Sequence, residues 1–121
     1  MSALVSPPAA PVSDQLSRPM RALRISLTDR CNLRCNYCMP ESQYDWLSRD
    51  AYLSLDEILR LTESFSKLGV HKLRLTGGEP LIRSDLLEII AQLRRNFPDL
   101  DLALTTNGTL LAPIAEELKS A

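Results

Sequence analysis

Long apolar runs are absent from these 121 residues, so no segment approaches the roughly 20 consecutive apolar residues of a membrane span. The uncharged N-terminal stretch carries Pro7, Pro8 and Pro11, and lacks the basic start of a signal peptide. Neither sign of charge is in excess, since 14 Lys and Arg face 15 Asp and Glu. A balanced charge provides no field for nucleic acid or an anionic membrane. We therefore expect a cytoplasmic protein with no nucleic-acid or membrane partner.

Cysteine is also scarce, and its placement argues against a disulfide framework. The three residues Cys31, Cys35 and Cys38 fall within eight positions, whereas a secreted scaffold spreads an even number along the chain. Reduced thiols that hold a metal fit this spacing better. The length suits a single domain, and 45% hydrophobic with 24% charged residues is typical of globular proteins.

Segments with the two-residue hydrophobic period of a strand alternate with segments that have the 3.6-residue period of a helix along most of the chain. Residues 1–17 are rich in Pro and Ala and are predicted to be a disordered tail, and residues 18–121 to form the ordered domain. Ser54 and Glu57 form a capping box that marks the first helix, and Gly69 ends it. The patterns predict strands at 21–28, 70–76 and 100–106, and helices at 54–68, 84–96 and 113–120.

This β-α-β-α-β-α order implies parallel strands joined by helical crossovers, so the predicted class is α/β. Three units leave a sheet edge and one sheet face uncovered, whereas a closed barrel needs about eight units. We predict a partial (β/α) TIM-type barrel that contains the first three β/α units of a larger core.

The cysteines have the spacing Cys-x3-Cys-x2-Cys and follow the first strand, at the end where barrel enzymes keep their active sites. Three thiolates can hold three irons of a [4Fe–4S] cluster and leave the fourth iron open to a small molecule. The alternative is structural zinc, which needs a fourth ligand. The only histidine, His71, is predicted at the opposite end of the sheet, which disfavours zinc.

The segment 31–38, Cys-Asn-Leu-Arg-Cys-Asn-Tyr-Cys, resembles the signature of the radical S-adenosylmethionine (SAM) superfamily, including its aromatic Tyr37. Gly-Gly-Glu-Pro at 77–80 and Thr-Thr-Asn-Gly at 105–108 resemble two further motifs of that superfamily. The resemblance implies a radical SAM core with a [4Fe–4S] cluster on the three cysteines, and SAM contacts at Tyr37 and Gly78. Taken alone, the two glycines fit a close approach of the backbone to a ligand or an ordinary turn.

Within the superfamily the chain is similar to the GTP 3′,8-cyclase family of molybdenum-cofactor biosynthesis, from about Gln15 to its end. The likeness includes Cys-Met-Pro at 38–40 and the segments 18–31 and 72–83, and Ser17 stands where that family usually has glycine. It implies a lyase that converts GTP into a 3′,8-cyclised dihydro-GTP by means of a 5′-deoxyadenosyl radical, without a catalytic side chain.

The same resemblance implies contacts to GTP from Arg24, Arg74 and Thr105, with Lys72 a weaker candidate. It further implies an electron donor and a downstream pterin-forming enzyme, and leaves a homodimer of the full-length protein open. This chain lacks the later strands and the C-terminal cysteines of that family, so alone it is expected to be inactive.

Arg24 and Arg74 alternate with core leucines and are predicted to point into the barrel, where a guanidinium is costly without an anion. A triphosphate would supply one; an internal carboxylate such as Glu79 is the alternative. Two other functions stay open: a radical SAM enzyme that acts on another substrate such as a peptide, and a non-catalytic cluster-binding fragment.

Overall fold

A computed structural model of the chain describes residues 12–121, in which strands and helices alternate as predicted. The elements are β1 (Ala22–Ser26), α1 (Leu55–Lys67), β2 (Lys72–Thr76), α2 (Leu86–Asn96), β3 (Asp101–Leu104) and α3 (Ala115–Ser120). Each strand is shorter than its apolar alternation suggested, because the alternation runs on past the last paired residue. Short 3-10 turns lie at Arg49–Ala51, Pro80–Ile82 and Ala112–Ile114.

The strands form a parallel sheet in the order β1-β2-β3. The register pairs Ile25 with Leu75, and Leu75 in turn with Leu104. The predicted α/β class and its three consecutive β/α units are therefore confirmed.

The two faces of the sheet have opposite character because side chains alternate along each strand. Leu73 and Leu75 are buried on one face, against the helices α1 and α2, which contribute Ile58, Ile89 and Leu93. Burial of each such side chain stabilises the fold by roughly 2 kcal/mol. The opposite face carries the polar residues of the strands and is not covered by a helix in residues 12–121.

The first helix begins where the sequence predicted. Ser54 Oγ accepts a hydrogen bond from the Glu57 backbone N at 3.2 Å, and Ser54 N donates to Glu57 Oε2 at 2.7 Å. Gly69 follows the helix with φ of 106°, a left-handed conformation that suits glycine. Among residues 12–121, no helix is both long and apolar enough to cross a membrane.

Of the predicted tail, residues 1–11 lie outside the described part of the chain, whereas residues 12–17 form a turn against the body. Val12 N donates to Leu68 O at 3.3 Å, and Met20 N donates to Val12 O at 2.7 Å. The Asp14 carboxylate accepts hydrogen bonds from the backbone N atoms of Leu16 and Arg18 and from the Arg18 side chain. Hydrogen bonds hold this segment, and apolar content alone did not reveal them.

Candidate functional site

Three loops follow the carboxyl ends of the three parallel strands and meet at the same edge of the sheet. They are the cysteine loop (residues 27–39) after β1, the glycine loop (77–80) after β2 and the asparagine loop (105–109) after β3. Hydrogen bonds connect each pair of these loops.

The glycine loop lies directly against the backbone of the cysteine loop. Gly78 N donates to Thr28 O, and Glu79 N donates to Arg30 O, both at 2.8 Å. A Cβ on Gly78 would lie 2.2 Å from Arg30 O, and one on Gly77 would lie 2.5 Å from Thr28 O. Both positions therefore require glycine, because the backbones of the glycine loop and the cysteine loop lie too close together for a side chain. The group that approaches in the structure is the protein's own chain, and the approach to a ligand stays a prediction.

Glu79 connects the glycine loop to the asparagine loop. Its carboxylate is 1% exposed and accepts hydrogen bonds from Thr106 Oγ1 at 2.6 Å, Asn107 N at 2.8 Å and Leu81 N at 3.2 Å. These donors satisfy the carboxylate without an arginine, so the structure does not support the alternative in which Glu79 pairs with Arg24 or Arg74. Sequence reasoning missed this role, because its only signal was a carboxylate placed between two turns.

Asn32 and Asn107 connect the asparagine loop to the cysteine loop. Asn107 Nδ2 donates to Asn32 Oδ1 at 2.9 Å, and Asn32 Nδ2 donates to Thr109 Oγ1 at 2.8 Å. This contact joins residues 75 positions apart, and sequence reasoning missed it. The three loops are therefore linked in a closed ring, which fixes the position of the thiols relative to the sheet.

The three thiols all belong to the cysteine loop and form no disulfide. Cys31 and Cys35 are partly buried and Cys38 is exposed. Cys38 N and Met39 N both donate to Cys35 O, at 3.0 and 2.7 Å, which folds the segment into a tight turn. Three accessible thiols in one loop are a suitable donor set for three irons of a [4Fe–4S] cluster.

The zinc alternative gains no support from the geometry. Within residues 12–121, no three His, Cys, Asp or Glu side chains converge closely enough to hold a single metal ion. His71 lies at the opposite end of the sheet, where its backbone N donates to Arg21 O at 3.0 Å.

Tyr37 extends from the cysteine loop and is 93% exposed. The negative charge of Cys35 and a hydrogen bond to it raise the pKa of Tyr37, and the charge of Cys38 adds to the effect. The contact of Tyr37 with SAM stays a prediction.

The predicted nucleotide residues lie on the polar face of the sheet. Arg24 and Arg74 are direct register partners on β1 and β2, and Ala103 of β3 completes their row. Arg74 Nη1 donates to Thr105 Oγ1 at 3.0 Å, which places Thr105 on the same face. The weaker candidate Lys72 lies one row lower.

The charges on this face are unevenly balanced. Lys72 Nζ pairs with Asp101 at 3.5 Å, whereas none of the ion pairs found within residues 12–121 includes Arg24 or Arg74. A cleft of about 660 Å³ beside the 3-10 turns carries no excess of positive charge, because its lining contains as many acidic as basic side chains. They are Arg30, Arg49, Arg83, Asp50, Glu57 and Asp85. The row that holds Arg24 and Arg74 is therefore the more favourable place for an anion.

Comparison with known proteins agrees with this geometry. Residues 25–121 match the radical SAM superfamily. "GTP 3′,8-cyclase 3" of Mycobacterium bovis is 53% identical over 116 residues, which cover 93% of this chain and 31% of that protein. The "GTP 3′,8-cyclase" of Paenarthrobacter nicotinovorans is 52% identical over 109 residues, 89% of this chain and 31% of the relative. That of Aquifex aeolicus is 53% identical over 109 residues, with coverages of 89% and 34%.

This chain thus spans about a third of the length of the curated relatives that it matches. The family match begins at residue 25, inside β1, and includes β2, β3, the loops that follow the three strands and the three thiols. The chain belongs to the radical SAM superfamily, whose cofactors are a [4Fe–4S] cluster and SAM.

Proposed function

We propose that this chain is part of a GTP 3′,8-cyclase, a lyase that converts GTP into a 3′,8-cyclised dihydro-GTP for molybdenum-cofactor biosynthesis. The names of the relatives support the proposal. The observation that carries it is the row of Arg24 and Arg74, two neighbouring guanidinium groups without a carboxylate partner in the described part of the chain.

Two like charges on adjacent strands repel each other. Strand spacing places the bases of the two side chains about 4.8 Å apart, and like charges directly opposite destabilise a sheet. A ligand with several negative oxygens offsets this repulsion. Planar guanidinium groups also match the geometry of phosphate oxygens, so the triphosphate of GTP suits the row formed by Arg24 and Arg74.

Thr105 and Ala103 complete the proposed nucleotide position. Thr105 Oγ1 accepts from Arg74 and retains its own hydrogen, which it can donate to a ligand oxygen. Ala103 is the third member of the arginine row, and its small side chain leaves space beside Arg74. Both residues are therefore proposed to line the site.

We further propose that Cys31, Cys35 and Cys38 bind three irons of the cluster, and that Tyr37 and Gly78 contact SAM. When bound, the reduced cluster supplies the electron that cleaves SAM. The protein's own part is to position the two ligands: the ring of hydrogen bonds among the three loops fixes the thiol loop at the end of the sheet, next to the arginine row. Such positioning can contribute as much as several kcal/mol to a reaction between two bound groups.

Several further expectations belong to the same proposal. They are a cytoplasmic location, an electron donor, a downstream pterin-forming enzyme, and the homodimer left open by the family resemblance. The 18–121 segment is proposed as the N-terminal part of the radical SAM core, with no turnover by this chain alone.

A chimera tests the function directly. Residues 12–121 of this chain would replace the corresponding third of the Aquifex aeolicus relative, with which this chain aligns over 109 residues. After anaerobic loading with iron and sulfide, the chimera should form 5′-deoxyadenosine and the cyclised nucleotide only when GTP is present. The 121-residue chain alone should form neither.

Arg74→Gln in the chimera should raise KM for GTP at least tenfold, because it removes one charge-assisted contact to the triphosphate. Arg95→Gln, which removes an exposed guanidinium on α2, is the matched control and should leave KM unchanged. Cleavage of SAM without dependence on GTP would indicate another substrate class, and a loaded cluster without cleavage would indicate a binding role only.

A further inference from the structure

We propose that Arg34 is a positioning residue that holds a fixed positive charge beside the iron–sulfur cluster and thereby favours the reduced state of the cluster. Arg34 lies between the first and second cysteines of the loop. The proposal depends on the cysteines as cluster ligands, and it does not depend on GTP.

The guanidinium of Arg34 is held by two backbone oxygens of the cysteine loop. Its Nη1 donates to Cys31 O at 2.7 Å and to Leu33 O at 2.9 Å. Since the carbonyl and the thiol of Cys31 belong to one residue, covalent geometry places Nη1 within roughly 7 Å of Cys31 Sγ. The positive charge is therefore hydrogen-bonded to the backbone of Cys31, one of the proposed cluster ligands.

Two aromatic rings hold the other side of the guanidinium. Arg34 Cζ lies 5.6 Å from the ring centroid of Tyr44 and 5.1 Å from that of Trp46. The two rings are stacked on each other, with centroids 5.4 Å apart and an angle of 22° between their planes. Both distances to the cation are within the range of a cation–π interaction. Arg34 thus joins the front of the cysteine loop to a segment beyond the last cysteine.

The aromatic pair is itself fixed at both ends. Tyr44 Oη accepts a hydrogen bond from Glu41 N at 2.9 Å, and Leu47 N, next to Trp46, donates to Asp29 Oδ2 at 2.7 Å. Asp29 also accepts from the hydroxyl of Tyr52. The rings consequently form a rigid support, and the cation has a defined place although Arg34 itself is exposed.

Reduction adds one negative charge to a cluster whose thiolate ligands already make it anionic. A positive charge at a fixed short distance stabilises the more negative state by Coulomb attraction, and the effect is weakened by solvent because Arg34 is exposed. We expect Arg34→Gln to lower the equilibrium constant for one-electron reduction about fivefold. At 59 mV per tenfold for one electron, this is a downward shift of about 40 mV.

The experiment uses the 121-residue chain, loaded anaerobically with iron and sulfide, and measures the cluster potential by redox titration followed by electron paramagnetic resonance. Trp46 is the only tryptophan, so its fluorescence in the unloaded chain reports the aromatic support independently. Arg34→Gln should change both readouts. Arg34→Lys keeps the charge but lacks the planar fork, so it should change the fluorescence and lower the potential by a smaller amount.

Arg95→Gln is the control, since it removes an equal charge from α2 and should change neither readout. Trp46→Leu, which leaves the charge but removes half of its support, should lower the equilibrium constant about twofold and covers the case in which Arg34→Gln fails to load. A potential unchanged in Arg34→Gln, or in Trp46→Leu if Arg34→Gln does not load, would overturn the proposal. A parent chain that takes up no iron would overturn it together with the cysteine assignment.

Discussion

Replacing the Glu79 carboxylate by an amide should destabilise the protein more than its small chemical change suggests. The side chain is 1% exposed, and its carboxylate is the acceptor in every hydrogen bond that it makes in the structure. In Glu79→Gln one acceptor oxygen becomes an NH₂ group. That group would face either Asn107 N, or the Thr106 hydroxyl and Leu81 N, so at least one donor meets another donor.

The magnitude follows from these contacts. A hydrogen bond to a charged group contributes about 1.5–3 kcal/mol, and a buried donor left without a partner costs about 1–3 kcal/mol. Part of this is recovered when the asparagine loop moves, so we expect a loss of about 3 kcal/mol in the free energy of unfolding. This is a large fraction of the 5–15 kcal/mol typical of a domain.

Urea titration followed by Trp46 fluorescence measures this loss. Amide exchange at Asn107 should also become faster, since its backbone N loses its acceptor. Glu63→Gln is the matched control: Glu63 pairs with Lys67 at 3.4 Å but is 61% exposed, so it should change stability by less than about 0.5 kcal/mol. A loss below about 1 kcal/mol in Glu79→Gln would refute the role assigned to the carboxylate.

Three further substitutions test other parts of the structure. Ser17 has a strained, left-handed φ of 62°, which glycine adopts freely, so Ser17→Gly should stabilise the fold by about 0.5–1 kcal/mol and raise the melting temperature. An unchanged melting temperature would contradict backbone strain at Ser17. Gly78→Ala should lower the free energy of unfolding by about 2–3 kcal/mol, because its Cβ would meet the backbone of Arg30. Gly108→Ala, in open space at φ of 79°, should lower it by about 1 kcal/mol. Equal losses in urea titration would count against the backbone contact at Gly78. The hydrogen bond from Arg83 lowers the pKa of Asp85, so this carboxylate stabilises the folded state above its unfolded pKa and loses that effect as the pH falls through its folded value. Asp85→Asn should therefore be less stable than the parent at pH 7, with a difference that disappears as the pH is lowered below 3.8; a difference independent of pH would exclude this linkage.

The sequence was sufficient for the features that depend on periodicity. The alternation of Arg24 and Arg74 with leucines predicted both a strand and a polar face, and the register then placed the two arginines side by side. The Ser54 capping box predicted the start of α1 within one residue. Such signals are local, so they can be read before the fold is known.

The contacts between loops could not be predicted in this way. Asn32 and Asn107 are 75 residues apart, and nothing in either loop identifies the other as its partner. The sequence suggests Glu79 only as a partner for arginine, because a buried carboxylate favours a cation when its backbone donors are unknown. The turn at residues 12–17 depends on a single aspartate that caps it, which composition does not reveal.

The two-residue period along β1 and β2 places the residues that stabilise the sheet and the residues proposed to bind the substrate on opposite faces. Leu73 and Leu75 hold the sheet against its helices, whereas Arg24 and Arg74 on the reverse side make no contribution to that packing. If these arginines bind the substrate as proposed, mutations in the second group change which molecule is bound at little cost in stability. A scaffold with this arrangement can acquire new substrates without first becoming more stable.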